Sequence, residues 1–116
     1  MTTALSTSTL TGDTVENREG DELGRVEEIM IDLNSGRVAY MVLAAGGFLG
    51  VGDKFFAIPW DMVEVDTDQE KVILDLDKET FENAPGFDKD NWPEAGDNEW
   101  LKEVFVYYGR TPYWAE

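Results

Sequence analysis

The stretch Gly46-Gly47-Phe48-Leu49-Gly50-Val51-Gly52-Asp53-Lys54 comes nearest to a phosphate-binding loop. Four residues separate Gly47 from Gly52, as that loop requires. Asp53, however, stands where the Lys must reach the phosphates, and no Ser or Thr follows Lys54. A carboxylate there repels a phosphate. The segment reads instead as a long glycine-rich strand connection with Phe48 and Leu49 at its tip. A second spacing sets carboxylates at positions 1, 3 and 12 of a calcium-type loop: Asp88, Asp90 and Glu99. Position 5 is Trp92, and position 6, where the sharp turn needs Gly, is Pro93. The plain reading is a solvated acidic loop before a helix, and a looser carboxylate site for a hard cation is the alternative. With 25 Asp and Glu in the chain, neighbouring carboxylates arise by chance. A facing pair is therefore no sign of glycosidase-type chemistry.

Composition narrows the chemistry further. The chain has no Cys, which excludes disulfides, thiol catalysis and Cys-ligated metals. It has no His, the side chain that most often moves protons near neutrality. Nine Lys and Arg against 25 acids leave a formal net charge of -16. Phosphate backbones and anionic lipid are gripped by clustered Lys and Arg, so this balance disfavours both as partners. Trp60, Trp92, Trp100, Tyr107, Tyr108, Tyr113 and Trp114 could stack bases, but stacking sites sit in positive grooves. These aromatics read as packing for the C-terminal part, with a surplus available to a partner surface. No catalytic residue, cofactor site or metal site is expected.

At 116 residues the chain has the size of one compact domain. Its N-terminus has no basic residue and no apolar run of signal-peptide length, and its longest apolar stretch, Val38 to Ala45, is too short to span a bilayer. A cytoplasmic protein is expected. Short apolar and β-branched runs broken by turn residues fill the first 77 positions. Ile29, Ile31 and Leu33 alternate with polar or flexible neighbours, Asn34-Ser35-Gly36 makes a turn, and Arg37 to Leu43 follows. This predicts a hairpin whose second strand is apolar on both faces and lies mid-fold. Phe55 to Ile58 predicts a strand closed by Pro59. Val63 and Val65, then Val72 to Leu76, flank the polar turn Thr67 to Glu70 as a further hairpin, and Val15 to Asn17 with Leu23 to Val26 form another. Five or six short strands predict a small closed or partly open β-barrel, because closure removes exposed edges.

From residue 78 onward the pattern turns helical. Lys78 to Asn83 predicts a short helix, stopped by Ala84-Pro85-Gly86. Asp97 is a suitable N-cap with Glu99 in the first turn. Trp100, Leu101, Val104, Phe105 and Tyr108 then share one helical face, and Gly109 and Pro112 end the helix. That stripe must pack on the barrel or on another chain.

Four segments carry a resemblance: Leu10-x-Gly12; Val15-x-Asn17-x-x-Gly20-x-x-Leu23-Gly24-x-Val26; Ile29-x-Ile31-Asp32-x-x-x-Gly36-Arg37-Val38; and Phe56-Ala57-Ile58-Pro59-Trp60. In this order and spacing they resemble the PRC-barrel family, over about residues 4–76. The tail, with Asn83-Ala84-Pro85-Gly86-Phe87-Asp88, Trp92-Pro93 and Tyr107-Tyr108-Gly109, looks like the extension of small stand-alone bacterial members. The family takes its name from the cytoplasmic domain of the photosynthetic reaction centre H subunit and includes the C-terminal domain of the ribosome maturation factor RimM. The resemblance implies a β-barrel of about six strands that acts as an interaction or assembly module, and it carries over no catalytic site.

The expectation is thus a mainly β, PRC-barrel-like domain over 1–77 and a helical extension over 78–116 packed on it. Its role is expected to be non-enzymatic, as a protein-binding or self-associating module, with a homodimer as the expected state. The candidate interface is Phe48, Leu49 and Phe55, on the less acidic half. Residues 1–60 carry a net -5, and residues 61–116 a net -11. Analogy with the named relatives supplies two alternatives: regulation of electron transfer at a membrane redox complex, and ribosome assembly through a basic ribosomal protein.

Overall fold

The computed structural model describes residues 4–45, 54–88, 90–94 and 96–115. A short helix α1 (Thr7–Leu10) leads into β1 (Thr14–Asn17), β2 (Glu22–Ile31), β3 (Val38–Ala45) and β4 (Lys54–Pro59). A 3-10 turn at Trp60–Met62 precedes β5 (Val63–Asp66) and β6 (Lys71–Leu74). Then come α2 (Lys78–Glu82), the two-residue β7 (Phe87–Asp88) and α3 (Asn98–Tyr107). The strands form one seven-stranded sheet in the order β5-β6-β1-β2-β3-β4-β7. The protein is mainly β, and the sheet is curled but not closed. The strand beyond the expected six is β7, which the tail lays antiparallel on β4 through Lys54↔Asp88 and Phe55↔Phe87.

The three expected hairpins form: β1 with β2, β2 with β3, and β5 with β6. What joins them is a long-range parallel pairing of β1 with β6, from Thr14↔Lys71 to Asn17↔Leu74. Two irregularities in the β2–β3 register, at Val26/Glu28 and Met30/Ile31, increase the bend of the sheet. Gly24 lies under the same bend. A Cβ there would stand 2.3 Å from the Ala44 carbonyl oxygen and 2.8 Å from Leu43 Cδ2, so only hydrogen fits. The β2–β3 turn is shaped by the Asp32 carboxylate. Its Oδ1 accepts from the Asn34 and Ser35 amides at 2.8 and 3.3 Å, and Gly36 takes φ +74°. This Asx turn ends β2 at Ile31, short of Leu33. The alternation of Ile29, Ile31 and Leu33 therefore does not continue as strand, and Leu33 is left at the corner, 92% exposed.

The doubly apolar β3 divides its side chains between two cores. Met41 and Leu43 join Phe56 and Ile58 of β4, with Val15, Val26, Val72, Leu74 and Phe81, on the concave face. Tyr40, Val42 and Ala44 join Phe55 and Ala57 on the other face, where the tail covers them. Burying both faces of β3 and β4 is what selects a near-continuous apolar run over simple alternation. Among the described residues Asn17 is the buried polar one, 2% exposed. Its Oδ1 accepts from the Glu19 and Asp21 amides, and its Nδ2 donates to Asp21 Oδ2, so it builds the β1–β2 turn. Among the described residues no helix is long and apolar enough to cross a membrane.

Candidate functional site

The tail begins its return over the sheet at α3. The Asp97 carboxylate caps the helix by accepting from the Trp100 amide at 3.1 Å. At the other end the Gly109 amide bonds to the Val106 carbonyl and the Arg110 amide to the Phe105 carbonyl, a Schellman closure. Between these caps Leu101, Val104 and Phe105 are buried against the β3–β4 face, with Trp100 and Tyr108 half-buried beside them. Trp100 meets Tyr40 and Phe87 edge-on, at centroid distances of 5.8 and 5.9 Å. Tyr108 touches both cores. Its hydroxyl finds no partner among the described residues, and burial pushes its ionisation well upward.

Of the three residues singled out for a partner contact, Phe55 is buried at 6% exposure. Its ring lies edge-on to Phe87 and Trp92. Phe48 and Leu49 lie outside the described residues. Asp88 sits in β7 and Asp97 caps α3. No group of three or more acidic side chains among the described residues is placed to hold a metal ion.

Beyond Gly109 the chain crosses to the β2–β3 hairpin. Tyr113 donates its hydroxyl to Asp32 Oδ2 at 2.5 Å. Arg37 stacks 5.3 Å above the Tyr113 ring and donates from Nη1 to the Tyr113 carbonyl at 3.1 Å. Trp114 then packs edge-on to Phe105 and Tyr113, 41% exposed. These residues frame an open hollow of about 470 Å³, completed by Asn34, Ser35 and Asn98. The Tyr113 hydroxyl, followed by the Asn34 amide, holds the Asp32 carboxyl below its usual value. Burial and then the bond to Asp32 raise the Tyr113 phenol to about 12. The pair ties the C-terminal segment to the β2–β3 turn.

The same end of the molecule carries exposed apolar side chains. Leu33 at the turn corner is 92% exposed, Ile31 beside it 49%, and Trp114 stands next to the turn. The sequence pattern had no signal for this assembly. Alternation put Asp32 within the strand, ahead of the Asn34-Ser35-Gly36 turn, and the partner that fixes Trp114 beside it is 81 positions away.

The family model for the PRC-barrel domain matches residues 3–81. A solved chain from Pseudomonas aeruginosa, described as a 16S ribosomal RNA processing protein RimM, aligns with a TM-score of 0.45 at 18% sequence identity. The alignment covers 65% of this chain and 45% of that one. No curated protein matches the chain.

Proposed function

The chain belongs to the PRC-barrel family, its model matching more than half of the residues, and from that premise we propose a non-enzymatic interaction module that joins protein surfaces, first of all two copies of itself. The observation that carries this reading is the exposed apolar end of the β2–β3 hairpin: Leu33, Ile31 and Trp114. Exposed Leu33 on a fixed turn, Ile31 at the strand end before it and Trp114 held beside it by the tail suit a protein contact, with Trp as its anchor. Local charge favours the place too. Residues 29–45 hold one acid, Asp32, and one base, Arg37, in a chain of net -16. Two copies meeting here keep their acid-rich parts apart. Phe48 and Leu49 remain the alternative contact, and they follow the opposite end of β3.

Sedimentation of the whole chain at micromolar concentration tests the reading, at low and high salt. A dimer that strengthens with salt is expected, because salt screens the mutual repulsion. Leu33→Ser with Trp114→Ser should return it to one-chain mass, while Phe48→Ser with Leu49→Ser should not. The reverse result moves the contact to the glycine-rich connection. One-chain mass for the unaltered protein at both salts rejects self-association.

Two narrower roles rest on family kinship: regulation beside a membrane redox complex, and ribosome assembly through a basic ribosomal protein. The proteins that copurify with the chain separate them. Nucleic acid is not a proposed partner, since a net charge of -16 opposes phosphate contacts.

A further inference from the structure

We propose that the outer edge of β5 is a second docking surface, which accepts a short basic segment of another protein as an added strand. This goes beyond the hairpin-end contact and uses a different part of the sheet. β5 ends the strand order, and no described strand pairs with its outer side. The direction of its backbone groups follows from one bond. The Val63 amide donates to the Trp60 carbonyl, so it is not spent on β6. Val63↔Leu74 is then a non-hydrogen-bonded pair of the antiparallel ladder. By alternation Glu64↔Ile73 is a bonded pair, and the amide and carbonyl of Val65 point away from β6. An incoming strand can take both, the mode known as strand addition.

The side chains flanking Val65 choose the occupant. Glu64 and Asp66 share one face of the strand, opposite to Val63, which packs on the concave core. Arg18 lies 3.3 Å from Glu64 but divides its charge with Asp75 at 3.7 Å. Lys71, which faces Asp66 in the register, is bound to Glu16 at 2.8 Å. No cation among the described residues pairs with Asp66, and its Oδ1 accepts only from the Asp68 and Gln69 amides. A second copy of this chain is a poor occupant. Antiparallel pairing about Val65 would set Glu64 of each copy against Asp66 of the other, and like charges directly opposite destabilise a strand pair. The complementary strand carries Lys or Arg opposite Glu64 and again opposite Asp66, two positions apart, with a small or β-branched residue between them against Val65.

The test uses the whole protein, labelled with nitrogen-15, and three soluble peptides. One alternates Lys and Val, one alternates Glu and Val, and one keeps the Lys charge with Pro in place of each Val. The Lys/Val peptide is expected to shift the amides of Val63 to Asp66 saturably and to slow exchange of the Val65 amide. The Glu/Val peptide should leave them unmoved. The Lys/Pro peptide, which cannot donate ladder bonds, should bind at least tenfold more weakly. The double variant Glu64→Lys, Asp66→Lys, shown to be folded by its melting curve, should reverse the preference and take the Glu/Val peptide. Equal binding of the Lys/Val and Lys/Pro peptides overturns the proposal, since charge alone would then account for it. No shift at Val65 with millimolar Lys/Val peptide also overturns it and makes the acidic edge a guard against edge-to-edge association. Neither negative result bears on the hairpin-end contact, which sedimentation reads separately.

Discussion

The hydroxyl of Tyr113 and the carboxylate of Asp32 meet at 2.5 Å, although 81 positions separate them in the chain. Asp32 shapes the β2–β3 turn with one oxygen and holds the C-terminal segment with the other. One side chain thus couples the hairpin corner that exposes Leu33 to the tail that presents Trp114.

This coupling has a pH signature. The folded Asp32 carboxyl titrates below its ordinary value, chiefly because of Tyr113. Its stabilising contribution is complete above the unfolded value, about 4. It disappears as pH falls through the lower folded value. Tyr113, raised to about 12, keeps its proton through neutrality, and its contribution is lost as pH rises from about 10 through about 12. Tyr113→Phe should therefore lower the melting temperature at neutral pH, with the difference shrinking below about pH 4. A difference independent of pH in that acid range would mean that the ring alone, and not the hydroxyl bond, holds the tail.

The opposite sign is expected at Tyr108. A buried hydroxyl without a partner costs about 1–3 kcal/mol. Tyr108→Phe keeps the ring and removes that group, so stability should rise by about 1 kcal/mol. For a domain of this size the melting temperature should increase by about 4 °C. A fall instead would reveal a hydrogen bond to the hydroxyl.

Gly24→Ala should cost about 2–3 kcal/mol through overpacking. The added methyl lands 2.3 Å from a backbone carbonyl of β3, which cannot rotate away as a side-chain tip would. Denaturant titration measures it. Gly36→Ala tests a turn with nothing within 4 Å of the added Cβ and only the positive φ to oppose it, and it should cost less, about 1 kcal/mol.

We propose that residues 78–116 are a structural part of the domain and not an appendage. A chain ending at Asp77 would lose Phe87, Leu101, Val104 and Phe105 from the face formed by Tyr40, Val42, Phe55 and Ala57. It should melt lower and aggregate more readily than the whole chain, since it exposes an apolar sheet face. Equal melting temperature and solubility would make the α3 stripe a binding surface instead.

Much of this architecture is written in local pattern. The hairpins follow from runs of β-branched residues and the turns between them, Pro59 ends β4, and Asp97 and Gly109 bound α3. Each depends on neighbours within a few positions, where propensity and capping act. The apolar character of β3 on both faces likewise put it mid-fold, and the stripe of Leu101, Val104 and Phe105 had to pack on the barrel or on another chain; the structure sets it on β3 and β4. What the tertiary structure alone decided is which distant segments meet. The parallel pairing of β1 with β6, the docking of β7 on β4, and the reach of Tyr113 to Asp32 are choices among partners of similar local chemistry. They are settled by curvature of the sheet and by what remains to be buried once the hairpins exist. For the same reason Ile31 and Leu33, strand-like by alternation, ended at an exposed corner: the Asp32 turn closed before the pattern did, and among the described residues no layer extends that far to cover them.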